Sequence, residues 1–408
     1  ESEELPGYKY IGIFSDSMPD LNYSSEALQE DMKNVAKFWL DMGIDGFRLD
    51  AARHIFGDFY SNIYNDYIAE ENQSFWEDFR SDIVAEYPNA YLVGEVWEKN
   101  TDNMVPFISE GALDSTFDFN LANKIYEAVS NESTAYDPSA VDPENQLSQD
   151  NDLNIVSDLV SFYNKFGEAS NYNFIDCPFS TNHDQNRIMS LFKYQFDPEA
   201  TDINVANPLK DESEQLILRE DADKAMDHAK VASSLLLTMP GRPFIYYGEE
   251  VGLDGVKPDS SIRECMPWYE EPFNADGSAK EGLANYGETL YSVGGEASVE
   301  AQIDQPDSLY AHYKEVIHAR KRIPALMNGD IDEYNLDSQQ IISYIRMTED
   351  QRVLVVVNLS GETLTQELVQ DPNYGSFHRV LFQSSQDSIS QLNDSTLTLA
   401  PYSMVVLE

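Results

Sequence analysis

The chain has 408 residues, of which 42% are hydrophobic and 12% aromatic, enough for a large domain plus a smaller one and too apolar for a disordered chain. Asp and Glu number 73 against 26 Lys plus Arg, a formal net charge of −47 that argues against nucleic acid or an anionic membrane as partner. No run of about 18 apolar residues occurs, so no membrane-spanning helix is expected.

The first residues, ESEELPGYKY, carry neither the basic nor the apolar segment of a secretion signal and no initiating Met, so an earlier start is expected. LQEDMKNVAKFWLDMG (28–43) has helical spacing, with Met32, Val35, Ala36, Trp39 and Leu40 on one face. It leads into GFRLD (46–50), a short strand pattern. SFWEDFRSDIVAEYP (74–88) and AYLVGEVW (90–97) repeat the helix-then-strand theme, and ALDSTFDF (112–119), NFIDCPFST (173–181) and RPFIYYGEE (242–250) continue it. Alternating βα units predict a parallel sheet with helices outside, whose functional side chains collect at the carboxyl ends of the strands. Three polar stretches, 131–158, 198–222 and 255–307, read as loops or insertions. After Pro324 the pattern changes to short strands without helix (IISYIRM, RVLVVVNLS, HRVLFQSS, STLTLA, SMVVLE), which predicts a separate antiparallel β-sandwich beginning near residue 326. Cys177 and Cys265 have no metal-type spacing and read as buried free thiols, with one optional disulfide as the alternative.

Three of the strand ends carry carboxylates. In GFRLD, the period of two places Gly46, Arg48 and Asp50 on one face and Phe47 and Leu49 on the other. A neighbouring guanidinium keeps a carboxylate ionised, as a nucleophile must be. A structural Arg–Asp ion pair is the plainer alternative. Glu95 closes the apolar VGEVW strand beside Trp97, surroundings that favour a proton-donating carboxylic acid; a strand-end Glu capping the next segment is its alternative. His183 and Asp184 end a further strand in STNHDQNR, where a turn or an isolated His–Asp hydrogen bond would also account for them. Taken together, the three sites match what a retaining glycosidase needs: one carboxylate to attack the anomeric carbon, a second to protonate the leaving oxygen, and a third to orient the sugar.

MPDLNY (18–23), GFRLDAARH (46–54), GEVW (94–97), TNHDQNR (181–187) and IYYGEE (245–250) occur in the order in which the α-amylase family of retaining glycoside hydrolases carries its motifs, and the chain resembles that family over nearly its whole length. The MPDLN element is similar to the group between oligo-1,6-glucosidases and neopullulanases. The resemblance implies Asp50 as nucleophile, Glu95 as acid/base and Asp184 as transition-state stabiliser. It implies Arg48 as the group holding the nucleophile's charge, and His183 as a hydrogen-bonding partner of sugar hydroxyls at the cleavage subsite. Arg53 and His54 stand where many α-amylases carry Lys-His, which touches sugar on the aglycone side; the Arg is a departure. The backbone carbonyl of His54 would bind a structural Ca²⁺ whose other ligands come from segments outside this chain. Trp97 is a candidate for stacking on sugar, or for a wall of the core.

The implied fold is a (β/α)8 TIM barrel, of which this chain would supply strands four to eight, followed by the C-terminal antiparallel β-sandwich. Residues 1–17 would be the tail of the domain inserted after strand three, 18–325 the C-terminal portion of the barrel, and 326–408 the sandwich. An open parallel sheet would expose apolar edges, so a companion N-terminal segment of the same precursor is expected to close the barrel. The implied activity is endohydrolysis of α-1,4-glucosidic bonds in starch and maltooligosaccharides. An α-glucosidase, a glucosyl transferase such as trehalose synthase, and a catalytically dead relative are the rivals. The acidic excess further predicts a secreted enzyme of a salt-adapted microbe, with an ordinary acidic secreted protein as the alternative.

Overall fold

The computed structural model describes residues 10–56, 69–98, 100–135, 154–171, 173–198, 200, 202–278, 280, 291, 294–336, 338–368, 373–385, 387–393 and 396–408. None of the described helices is long and apolar enough to cross a membrane. The chain divides into two compact units, Glu1–Phe117 with Phe162–Cys177, and Asp118–Ser161 with Pro178–Glu408.

In the first unit, helix α1 (Glu26–Asp41) begins where Ser25 accepts a hydrogen bond from the Leu28 backbone N–H, satisfying one of the donors a helix start leaves open. Its buried face runs Lys33, Ala36, Leu40. The expected apolar stripe is thus split: Ala36 and Leu40 are buried, whereas Val35 and Trp39 are exposed, as is Phe38. Lys33 reaches Asp78 at 2.5 Å, and Lys37 reaches Asp82 at 2.8 Å and Glu86 at 2.6 Å, tying α1 to helix α2 (Ala69–Glu86). Strands β1 (Gly46–Leu49), β2 (Tyr91–Gly94) and β3 (Ser115–Thr116) form a parallel sheet in that order, with Gly46 opposite Tyr91 and Arg48 opposite Val93. A Cβ on Gly46 would lie 1.9 Å from the Tyr91 carbonyl oxygen, so only glycine lets the two strands pair there. Phe47 and Leu49 pack against a core that includes Phe75, Trp76, Ile83, Leu92 and Phe107, as the alternation predicts. Phe117 adds a parallel bridge to Cys177.

In the second unit, Phe179 bridges Phe244 in parallel. The segments expected as the last two strands meet neighbours only through single bridges among the described residues. Helix Ala225–Thr238 packs against both Phe119–Ser130 and Leu309–Arg322. The stretch 198–222, expected as a loop, is partly ordered by antiparallel bridges Tyr194–Leu218, Phe196–Pro208 and Lys210–Leu216. Residues 136–153 and 281–290 of the other two polar stretches lie outside the described residues.

A short helix, Pro324–Asn328, precedes the C-terminal strands. These form a five-stranded antiparallel sheet, β4 (Asp330–Glu333), β5 (Ile341–Met347), β6 (Arg352–Asn358), β11 (Met404–Leu407), β8 (Val380–Gln383), and a three-stranded one, β7 (Leu364–Glu367), β10 (Thr396–Leu399), β9 (Ile389–Asn393). Ile345, Leu354, Val356, Leu397 and Leu399 from both sheets share one core, as expected of two stacked sheets. Two buried arginines satisfy carbonyls at or just beyond helix ends. Arg320 donates to Leu237, Met239 and Gly241, and Arg346 to Thr238 and Gly329. The two cysteines are not joined by a disulfide; Cys177 is buried, but Cys265 is only half-buried.

Candidate active site

β1 delivers Arg48 and Asp50 to its carboxyl end, and β2 delivers Glu95 just beyond its own. Arg48 holds both acids: Nη1 pairs with Asp50 Oδ1, and Nη2 lies 2.7 Å from Glu95 Oε1. The Ala51 backbone N–H donates to Glu95 Oε2 at 3.0 Å. Ala51 adopts a left-handed φ of 47°, a strained geometry for a residue with a Cβ, and that turn aims its N–H at the carboxylate. Backbone bonds from Glu95 N to Leu49 O (2.9 Å) and from Ala52 N to Glu95 O (3.0 Å) lock the two strand ends together. Glu95 is nearly covered, its side chain 11% exposed, while that of Asp50 is 76% exposed. The apolar, aromatic setting expected for Glu95 is therefore corrected: a cation and a backbone donor meet its oxygens, because the Ala51 turn and Arg48 occupy the space over the strand end.

Arg53 is buried and used internally. Its Nη1 donates to the Trp97 carbonyl at 2.7 Å and lies 3.2 Å from Glu98 Oε2, so a sugar contact would require this pairing to open. Trp97 is half-buried. The His54 ring meets Phe14 edge-on at 5.3 Å. Burial, with the Arg53 charge adding to it, pushes the His54 pKa down to about 4. Among the described residues no three His, Cys, Asp or Glu side chains gather as a metal-holding group. The His54 carbonyl alone does not fit a calcium ion.

The second unit holds the other two expected residues. His183 Nε2 is 3.1 Å from Asp184 Oδ2, and Arg263 Nη2 is 2.6 Å from Asp184 Oδ1 while its Nε donates to the His183 carbonyl at 2.8 Å. The turn beneath is fixed by Asp184 N to Asn182 Oδ1 (2.8 Å) and Gln185 N to Asn182 O (3.2 Å). Fully buried Asn186 donates to the Ile203 and Ala206 carbonyls and accepts from Lys257 N. Buried Arg187 donates to the Tyr247 and Ile262 carbonyls and lies over the Tyr246 ring, 4.3 Å from its centroid. Arg263 and Arg187 were not legible as site residues: one stands in a polar stretch read as a loop, and the other looked like the motif's last letter.

A family model described as "Alpha amylase, catalytic domain" matches residues 2–209 and 213–329, and one described as "Alpha-amylase SusG C-terminal domain" matches residues 341–406. The chain belongs to the α-amylase catalytic-domain family. This member of the α-amylase family is 32% identical over 360 residues to "Alpha-amylase 3" of Dictyoglomus thermophilum, covering 87% of this chain and 57% of that protein. It is 28% identical over 370 residues to "Trehalose synthase/amylase TreS" of Mycolicibacterium smegmatis, covering 86% of this chain and 58% of that one. It thus spans little more than half the length of these relatives. The crystal structure of an α-amylase from H. orenii superposes with a TM-score of 0.71 at 30% identity, covering 98% of this chain and 68% of that one. Such relatives imply a TIM barrel with a C-terminal β domain, and the C-terminal antiparallel sheets are present here.

Proposed function

We propose that this α-amylase family member hydrolyses internal α-1,4-glucosidic bonds of starch and maltooligosaccharides with retention of anomeric configuration. The observation that carries this reading is the Arg48 fork, which pairs with Asp50 and Glu95 at once and so gathers two carboxylates at one place, as a retaining nucleophile–acid pair requires. Asp50 Oδ attacks the anomeric carbon as Glu95 gives its proton to the leaving glycosidic oxygen, forming an ester between Asp50 and the sugar. Glu95 then takes a proton from water, whose oxygen attacks the same carbon and frees Asp50. Substrate entry must displace the Arg48–Glu95 contact so that Glu95 can carry a proton; Arg48 then remains on Asp50 alone. Asp184, held by Arg263 and His183, stabilises the positive charge that develops on the sugar ring, with His183 on a sugar hydroxyl and Trp97 as a stacking surface. An enzyme that transfers glucosyl units is the second reading, favoured by the name of the mycobacterial relative. Chromatography of products from soluble starch, pullulan and maltotriose tests it. A ladder of maltooligosaccharides supports endohydrolysis; transfer products refute it in favour of the second reading, and glucose alone refutes it in favour of an exo-acting α-glucosidase.

Three further expectations remain part of this proposal. Among the described residues β1 is an edge strand of its parallel sheet, and α1 and the turn after it expose Val35, Phe38, Trp39, Met42 and Ile44. A βα segment of the same precursor fits both features, giving the strand a neighbour and covering the apolar face. That segment would also supply the carboxylates a structural calcium at the His54 carbonyl would need. Residues 1–408 expressed alone, assayed on starch and by thermal melt, test the partner; full activity with a cooperative melt removes it. The acidic surface suits secretion into a salt-rich medium.

A further inference from the structure

The element that follows Phe244 makes a tight turn. Gly248 has φ 90° and Gly252 φ 73°, and a Cβ on Gly248 would lie 2.8 Å from Leu253 Cδ2 and 3.1 Å from Arg187 Nη1. The turn sends Glu249 inward, where it is 2% exposed. Oε1 accepts a hydrogen bond from Thr181 Oγ1 at 2.7 Å, Thr181 itself being 1% exposed, and Oε2 is buried without a hydrogen-bond partner. Thr181 stands three residues before Asp184, and Asn182 stitches the span between them through its two bonds to Asp184 N and Gln185 N.

We propose that Glu249 is a positioning residue for Asp184: through Thr181 its buried side chain sets the 181–185 turn on which His183 and Asp184 stand. The inference rests on Asp184 having the role given above. It extends that role to a group outside the three-carboxylate set.

The carboxyl does this in its neutral form. Burial pushes its pKa up to about 8, and the neighbouring Glu250 adds to the rise. The Thr181 hydrogen bonds and the Arg187 charge pull the other way and lose. Tyr313, from the helix Leu309–Arg322, also feels Glu249; burial holds its own pKa well above the ordinary tyrosine value, and the Glu249 and Glu250 charges add to that. A neutral acid presents one carbonyl-like oxygen to Thr181 and one O–H. Glutamine presents the same oxygen and an N–H. Ionisation would place an anion in this site and disturb the turn.

The test uses the full chain with ¹³C-labelled histidine, six residues in all, and the His183 ring resonance assigned with a His183→Gln variant. The wild type should show a change in the His183 signal centred near pH 8, absent in Glu249→Gln, while Glu249→Ala should give a shifted signal at every pH. In the active enzyme, Glu249→Ala should lower kcat about tenfold with KM nearly unchanged, the size expected for one lost buried hydrogen bond. Glu249→Gln should restore kcat near pH 6.5 and lose the decline above pH 8. A wild-type His183 signal flat through pH 8, or the same change in Glu249→Gln, overturns the proposal. If the wild type acts on no α-glucan, the functional reading fails, and the His183 signal still decides the role of Glu249.

Discussion

Glu132 joins four parts of the second unit, and its removal should cost stability in a way the structure makes specific. Its Oε1 accepts from Lys224 Nζ at 2.6 Å and from Tyr402 OH at 2.5 Å, and lies 3.4 Å from Nε2 of the fully buried His228. Its Oε2 accepts from the Gly361 N–H at 3.4 Å. Burial pushes the Glu132 pKa up, but the Lys224, Tyr402, Gly361 and His228 hydrogen bonds outweigh it and hold the carboxyl below its ordinary range. The Lys224 side chain is 41% exposed, so that pair contributes about 0–1 kcal/mol. The Tyr402 bond to a charged acceptor and the stranding of His228 are each worth about 1–3 kcal/mol. Glu132→Ala should therefore cost about 3 kcal/mol. Glu132 also has φ 49°, a left-handed conformation that costs a residue with a Cβ about 1 kcal/mol and glycine nothing. Glu132→Gly should consequently be less harmful than Glu132→Ala by about that amount, an inversion of the usual order. Because the folded pKa is lowered, the stabilisation is present above the unfolded carboxylate value and is lost as pH falls through the folded one. Urea unfolding at pH 7 and pH 4, with midpoints compared at constant slope, measures all of this. An alanine variant within about 0.5 kcal/mol of wild type, the size of an ordinary surface substitution, or a glycine variant worse than alanine, refutes the reasoning.

Asp50→Asn and Glu95→Gln should each abolish hydrolysis with the fold intact, and either variant keeping more than about a tenth of wild-type turnover on starch contradicts the two-carboxylate reading. His312 is buried with its Nε2 2.9 Å from Ser234 Oγ, and burial lowers its pKa to about 4. The unfolded chain takes up that proton first, so stability should fall by up to about 3 kcal/mol as pH drops from about 6.5 to 4. His312→Gln should flatten that part of the melting curve, and an equal acid slope in both proteins rejects the assignment. The melting temperature should rise from low to molar salt as screening relieves the self-repulsion of a net charge of −47; a flat or falling trend removes the salt-adapted reading.

The period-two alternation in GFRLD was enough to place Phe47 and Leu49 in a core and Arg48 with Asp50, because a strand's faces follow directly from its sequence. The C-terminal strands were legible for the same reason. Helix α1 departs from its pattern on one side, since helical spacing marks an apolar stripe without saying what covers it: Lys33, a charged residue, takes the buried position by reaching Asp78, and Val35 and Trp39 do not. The partners that hold the candidate residues lay beyond sequence reading. Arg263 meets Asp184 across about eighty positions, and Glu249 meets Thr181 across nearly seventy. Such pairings are made by the fold and leave no spacing to detect. The left-handed Ala51 that turns a backbone donor toward Glu95 gives no signal either, because alanine is not a residue that marks such turns.

The most direct measurement of the central claim is covalent trapping. A Glu95→Gln variant of the active enzyme, incubated with an α-maltosyl fluoride bearing fluorine at C5, needs no acid to release fluoride and lacks the base that would hydrolyse the intermediate. Mass spectrometry of the whole protein should show one added glycosyl unit, and of its peptides, that unit as an ester on Asp50; Asp50→Asn should take up none. A label on another carboxylate, or release of fluoride with the sugar freed as the β-anomer and no labelled protein, contradicts the account.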